Sequence, residues 1–344
     1  METIEKTARA AAADLDLDRW IRPGDTVLWG QAGAEPLTLV AAYLAQRHRF
    51  ARTRAFLGLG HSGLQQAGHA DAIDFVGYCG TGHRALVDAG VLEILPSHYC
   101  EFPDLFRRGN LRVDVLLLQV SGPDELGRYS YGQAMEYLPA ALESTRVVIA
   151  EVNRRLPFVR GSSYLEASDI DLLVEADYPP WNQAVAPGPR EQAVAAHVAT
   201  LIEDGMTLQV GLGAIPDAVL AALSERRDLG LHSGAATEQV AALAEAGVLT
   251  NARKNLDCGV GVAGMLLGGE RLMRYATCNP GFELRPTEYT HHPQVLGAIQ
   301  RFAAVNSAVE VDLTGQVNAE VAAGRYVGAV GGAGGFLRAA LHSR

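Results

Sequence analysis

The chain has 344 residues, 48% of them hydrophobic and 20% charged, enough apolar material for one large core or two ordinary ones. A formal net charge of −10 without a basic stripe excludes a nucleic-acid binder, because phosphate affinity needs clustered cations. Cys79, Cys100, Cys258 and Cys278 form neither a CxxC pair nor a run at zinc spacing, so no metal centre is expected and a reducing cytoplasm fits.

The first residues, Met1 to Trp20, carry scattered acids and no unbroken apolar stretch, and no later run approaches the roughly 20 apolar residues of a membrane span. A soluble, unexported protein is expected. Short branched apolar runs predict buried strands at Asp25–Trp29, Val113–Val120, Arg146–Glu151, Asp171–Val174, Met206–Val210 and Tyr326–Val330. Helical spacing lies between them at Glu35–Gln46, Gly132–Glu143, Pro189–Leu201 and Thr237–Ala246. Alternation of this kind implies an α/β protein with mostly parallel sheets covered on both faces. Four prolines between Asp177 and Arg190 disfavour helix and strand alike, so a linker is expected there, dividing the chain into an N-terminal domain of residues 1–185 and a C-terminal domain of residues 186–344.

Three glycine-rich places follow predicted strands. After Met206–Val210 comes Gly211-Leu-Gly213-Ala214, then a helical stretch with Pro216 and Asp217 in its first turn. Such a turn aims backbone N–H groups at whatever lies beyond the strand, and the helix dipole favours an anion there. The same residues also suit a plain tight turn, and the missing third glycine of a dinucleotide fingerprint argues against a nicotinamide-dependent oxidoreductase. The next strand, Leu229–Gly234, would bring His232 and Ser233 to the carboxyl edge of the sheet, where open α/β sheets hold ligands. In the tail, Gly328 and Val330 lead into Gly331, Gly332, Gly334 and Gly335, which permit close approach of backbone to a ligand.

Four stretches carry a resemblance: Asp114–Gly127, Val148–Asn153, Gly211–Pro216 and Val311–Glu320, with weaker echoes at Pro96–Pro103, Ala167–Asp171, Ala246–Lys254 and Gly331-Gly332. They run in family order over nearly the whole chain, and the sequence resembles the acetyl-CoA hydrolase/transferase family, which includes 4-hydroxybutyrate CoA-transferases. The resemblance implies two tandem NagB/RpiA-like domains with the site between them. It also implies a ping-pong exchange in which a glutamate attacks an acyl-CoA, becomes a mixed anhydride, then a glutamyl-CoA thioester, and passes CoA to a new carboxylate. Coenzyme A enters as substrate, a small acceptor as partner, and a homo-oligomer is expected. Gly211, Gly213, Ala214, Gly234, Gly328, Val330, Gly331 and Gly332 would bind CoA or the oxyanions of the tetrahedral steps.

Two departures stand out. Where the family shows His-(Ser/Thr)-Glu with the glutamate as nucleophile, this chain reads His232-Ser233-Gly234, and its tail has Gly335 where members carry Asp before Phe. Members also typically continue well beyond the position of Arg344. Glycine cannot form an anhydride. Glu238 would share a helical face with Gly234 if a helix began at Ser233, which makes it a candidate substitute beside His232 and Ser233; Glu101 and Glu136 are further carboxylates on family-like segments. Arg253, Lys254 and Arg338 are candidates for the phosphates of CoA. The expected function is CoA or acyl transfer from an acyl-CoA, with acyl-CoA hydrolysis or a non-catalytic CoA-ester-binding subunit as alternatives.

Overall fold

A computed structural model describes residues 8–182 and 186–343. Of the expected linker, residues 183–185 lie outside the described residues. The first sheet is built from β1 (Ala8–Ala10), β2 (Thr26–Trp29), β3 (Thr53–Leu57), β4 (Ile73–Gly77), β5 (Leu92–Ile94), β6 (Val115–Val120), β7 (Val147–Asn153) and β8 (Leu172–Ala176). The second contains β9 (Thr207–Val210), β10 (Gly230–Thr237), β11 (Gly261–Leu267), β12 (Phe282–Leu284) and β13 (Phe302–Val305).

The eight-stranded sheet runs β1-β8-β7-β6-β2-β3-β4-β5 and the five-stranded one β12-β11-β10-β9-β13. Every pairing within them is parallel. That is why β6, β7 and β9 are buried along their whole lengths, and why β6 and β7 are apolar but for Gln119, Glu151 and Asn153 near their carboxyl ends. Each sheet reverses its order of construction once, at β2/β6 in the first and at β9/β13 in the second. Outside the carboxyl ends of strands at such a reversal, the diverging connections leave a crevice. Gln31 follows β2 and the Gly211 turn follows β9, so both crevices supply residues to the site described below.

The segment Gly132–Tyr137 departs from its helical spacing. The helix there is confined to Leu138–Ser144, with Pro139 in its first turn, where a missing N–H costs nothing. Residues 133–135 instead pair with β11: the Met135 N–H donates to the Gly264 carbonyl at 3.0 Å, and the Leu266 N–H to the Gln133 carbonyl at 2.7 Å. This lacing joins the two sheets and fixes Glu136 at their junction. Likewise, the expected strand Tyr326–Val330 is reduced to Arg325–Tyr326, paired antiparallel with Val321–Ala322. The chain from 327 onward leaves that pairing because Gly328 is pressed against the Ala319 carbonyl, 2.0 Å from where a Cβ would stand.

Candidate active site

A cavity of about 310 Å³ lies at the carboxyl ends of β9 and β10. The second sheet contributes Gln209–Leu212, Gly234, Ala235 and Met265; the first contributes Leu59, Tyr78, Cys79, Thr81, Tyr99 and Glu136; the tail closes it with Gly328–Ala333 and Phe336. Its glycine loop is held by its own carbonyls. Gly328 accepts from the Gly80 N–H at 3.2 Å and Gly331 from the Tyr99 N–H at 3.0 Å, which ties the tail to loops of the first sheet. The motif at 311–320 folds as a hairpin in which Asp312 Oδ1 accepts from the Thr314 and Gln316 N–H groups, and it delivers Ala319 to the cavity wall.

Glu136 is the sole carboxylate among the described residues lining the cavity. It is buried, with backbone in the left-handed region at φ 45°, a conformation uncommon outside glycine. The Thr287 N–H donates to its carbonyl at 2.9 Å, so the turn is clamped on both sides. Gln31 Nε2 donates to Glu136 Oε2 and also, at 2.8 Å, to the Tyr99 hydroxyl. The orientation of that amide is fixed because Gln31 Oε1 already accepts from the Leu59 N–H at 2.7 Å and the Tyr78 hydroxyl at 2.6 Å. Oε1 of Glu136 has no hydrogen-bond partner among the described residues. Burial pushes this carboxyl up to about 7, against the opposing pull of hydrogen bonds from Gln31 and Tyr99.

His291 stands across the cavity, its ring 4.8 Å from Tyr99 and 4.7 Å from Phe336 between centroids, with Nδ1 hydrogen-bonded to the Thr290 hydroxyl at 2.8 Å. Burial lowers its pKa to about 3, so the imidazole is neutral at ordinary pH. Its Nε2 faces both Gly234 and Gly332: a Cβ on either would sit 3.0 Å or 2.7 Å from that nitrogen.

Of the sequence-predicted residues, Gly211, Gly234, Gly328, Val330, Gly331 and Gly332 line the cavity, whereas Gly213 and Ala214 open the helix Ala214–Ala221 just behind it. His232 and Ser233 lie within β10 and turn away. His232 donates from Nε2 to the Thr290 carbonyl at 3.2 Å, and Ser233 Oγ donates to the Val210 carbonyl at 3.1 Å. Burial, reinforced by nearby Lys254, lowers the His232 pKa to about 4. The helix expected at Thr237–Ala246 runs Glu238–Glu245, and because β10 continues to Thr237 the helical face that would have joined Glu238 to Gly234 does not exist. Glu238 Oε2 accepts from the Gly269 N–H at 2.6 Å and the Leu272 N–H at 3.3 Å, capping the helix Glu270–Ala276. Replacing Glu238 by Ala is expected to lower stability by about 1 kcal/mol, the usual worth of a cap, and to leave acyl-CoA turnover unchanged; denaturant melts and initial rates check both.

Other family-like residues are structural as well. Glu151 Oε2 accepts from the Thr38 and Leu39 N–H groups and thereby caps the helix Leu37–Gln46. Glu101 accepts from Ser97 Oγ at 2.6 Å and the His98 N–H at 3.2 Å. Lys254 is buried and donates to the Leu231 and Val260 carbonyls, at 2.9 and 2.6 Å. Among the described residues no group of three or more His, Cys, Asp or Glu could hold a metal, and no helix is long and apolar enough to cross a membrane.

The acetyl-CoA hydrolase/transferase N-terminal domain matches residues 11–180 and the corresponding C-terminal domain residues 268–344. A 4-hydroxybutyrate coenzyme A transferase of Clostridium kluyveri is 37% identical over 326 residues, 92% of this chain and 75% of that protein. The chain belongs to the acetyl-CoA hydrolase/transferase family. Within that family, a succinyl-CoA:acetate/propanoyl-CoA:succinate CoA transferase of Fasciola hepatica is 31% identical, covering 77% of this chain and 56% of its own length. RipA from Yersinia pestis superposes with a TM-score of 0.90 at 28% identity, over 95% of this chain and 78% of that one. A 4-hydroxybutyrate CoA-transferase from Porphyromonas gingivalis does so at 0.79 and 31% identity, over 98% and 79%. The match with these family structures extends over both sheets, and the α/β fold with large parallel sheets is the one they share.

Proposed function

We propose that the protein is an acyl-CoA-dependent transferase that moves CoA or an acyl group from a thioester to a small acceptor, in the cavity where two domains meet near the linker. The observation that carries this reading is the joining, in one cavity, of the glycine loops with a single half-held buried carboxylate. Homologues named as CoA transferases add to it. In this reading Gly211, Gly234 and the Gly328–Gly332 loop flank the thioester, CoA is a substrate, Gly234 stands where the family's glutamate would be, and the chain works in the cytoplasm as a homo-oligomer. Exchange of isotopically labelled acetate or butyrate into a panel of acyl-CoAs tests it; no exchange, no hydrolysis and no thermal shift with any CoA ester would remove it. Hydrolysis is the second reading, favoured by the glycine at 234 and by a carboxyl whose pKa near 7 suits it as a general base toward water.

The lining also bears on the acyl group. Leu59, Tyr78, Met265 and Phe336 are apolar or aromatic, and among the described residues lining the cavity there is neither Arg nor Lys. A second carboxylate on the acyl chain would meet Glu136 in a largely apolar cavity with no counter-cation among its described lining residues. Butyryl-CoA is therefore expected to exceed succinyl-CoA in kcat/KM by about tenfold or more, the equivalent of one unfavourable interaction of roughly 1.4 kcal/mol. Equal values for the two esters would contradict this.

A further inference from the structure

We propose that Glu136 is the carboxylate that becomes acylated, taking over from a neighbouring segment the role that position 234 cannot fill; this rests on the acyl-CoA reading above. The carboxylate is placed beside the vacancy. The point at which a Cβ on Gly264 would sit is 2.9 Å from the Gly234 carbonyl oxygen and 3.4 Å from Glu136 Cγ, so both border Gly264, and both line the same cavity. Glycine at 264 is what allows that approach.

The two carboxylate oxygens are differentiated in the way a nucleophile needs. Gln31 Nε2 donates to Oε2, while Oε1 is buried and has no hydrogen-bond partner among the described residues. The left-handed backbone at Glu136 is kept by the bond of Met135 to Gly264 and by that of its own carbonyl to Thr287, and strain of this kind persists only where the surroundings enforce it.

Glu136 Oε1 attacks the thioester carbonyl carbon, the C–S bond breaks and its electron pair leaves on sulfur, giving a mixed anhydride and CoA thiolate. The thiolate then attacks Glu136 Cδ, the anhydride C–O bond breaks and the donor acid leaves as its carboxylate, leaving CoA on Glu136 as a thioester. An acceptor carboxylate attacks Cδ and expels the thiolate, which attacks the acceptor's acyl carbon and frees Glu136. No proton or electron is gained or lost over the cycle. Throughout, Oε2 is the carbonyl oxygen of the activated glutamate, so Gln31 Nε2 is a donor already in place for the oxyanion formed each time Cδ is attacked.

The test uses the full chain incubated with acetyl-CoA or butyryl-CoA, reduced with borohydride and digested for mass spectrometry. The peptide containing Glu136 is expected to carry the alcohol that reduction of a glutamyl thioester leaves. E136Q is expected to lose the label and on the order of a thousandfold or more of exchange. E136D keeps the carboxylate but shortens its reach, and is expected to retain label with a reduced rate. Circular dichroism and a CoA thermal shift on E136Q separate lost chemistry from lost folding. Label on another residue, or exchange by a folded E136Q close to the unsubstituted rate, overturns the proposal while leaving the acyl-CoA reading intact. Absence of exchange, hydrolysis and CoA binding in the unsubstituted protein overturns both.

Discussion

A glutamate introduced at position 234 is expected to give CoA exchange in a chain whose Glu136 has been replaced by Gln. Gly234 lines the cavity on β10, and its φ is outside the left-handed region, so an L side chain fits the backbone there. The obstacle is lateral: a Cβ would come within 3.0 Å of His291 Cε1 and Nε2, and the ring is packed between Tyr99 and Phe336. The ring must shift by a few tenths of an ångström. E136Q/G234E is therefore expected to recover part of the exchange and E136Q/G234E/H291A more, with the borohydride label moving to the peptide that contains residue 234. Background rates in both, from folded protein that still binds CoA, would show that position 234 no longer faces the thioester. G234E on its own should behave differently. Two carboxylates in one dry cavity raise each other's pKa, so its exchange should shift to higher pH instead of simply increasing.

Those variants depend on a site only part of which could be read along the chain. β6, β7 and β9 were legible because parallel strands covered on both faces are continuous branched apolar runs. β11 was not, since Gly261 and Gly264 interrupt its apolar pattern. The reason for Gly264 is tertiary, the nearness of the Gly234 carbonyl and Glu136, and no local rule expresses it. The run Gly132–Glu143 has helical spacing, but Pro139 was the better guide: it belongs in a first turn, and the residues before it are spent on pairing with β11.

The glycine loops were visible because each follows a strand and has few other uses. Glu136 was visible only as an acid on a family-like segment. What makes it notable is the company of Gln31, Tyr99 and Gly234, drawn from three other stretches of the chain. His291 gave no signal at all, for a lone histidine before His292 and Pro293 reads as a turn. Glu238, chosen for its spacing from Gly234, is held by a neighbouring helix, which spacing alone does not reveal.

The same substitution that removes the reacting carboxylate, E136Q, is expected to stabilise the folded protein at alkaline pH. Burial raises the Glu136 pKa from its ordinary 4.5 to about 7, so between those values the folded chain holds a proton that the unfolded chain has released. Whatever binds protons in the folded state gives stability that falls as pH rises. The contribution of this group is thus fully present below about 4.5, declines toward 7 and stays lost above it; integrated over the interval the loss is about 3 kcal/mol, an upper figure for a single site. Gln does not ionise, and its carbonyl oxygen still accepts from Gln31 and Tyr99. E136Q should therefore unfold at higher denaturant concentration than the unsubstituted chain at pH 8, with the gap narrowing through pH 7 and closing near 4.5. Parallel melts of the two proteins at pH 5 and pH 8 measure it. A gap of the same size at both pH values would mean that the charged carboxylate costs the fold nothing. A gap that is absent near pH 4.5, opens between 4.5 and 7 and is full at pH 8, together with lost exchange, is the signature of a charge retained for its reaction at the expense of the structure that holds it.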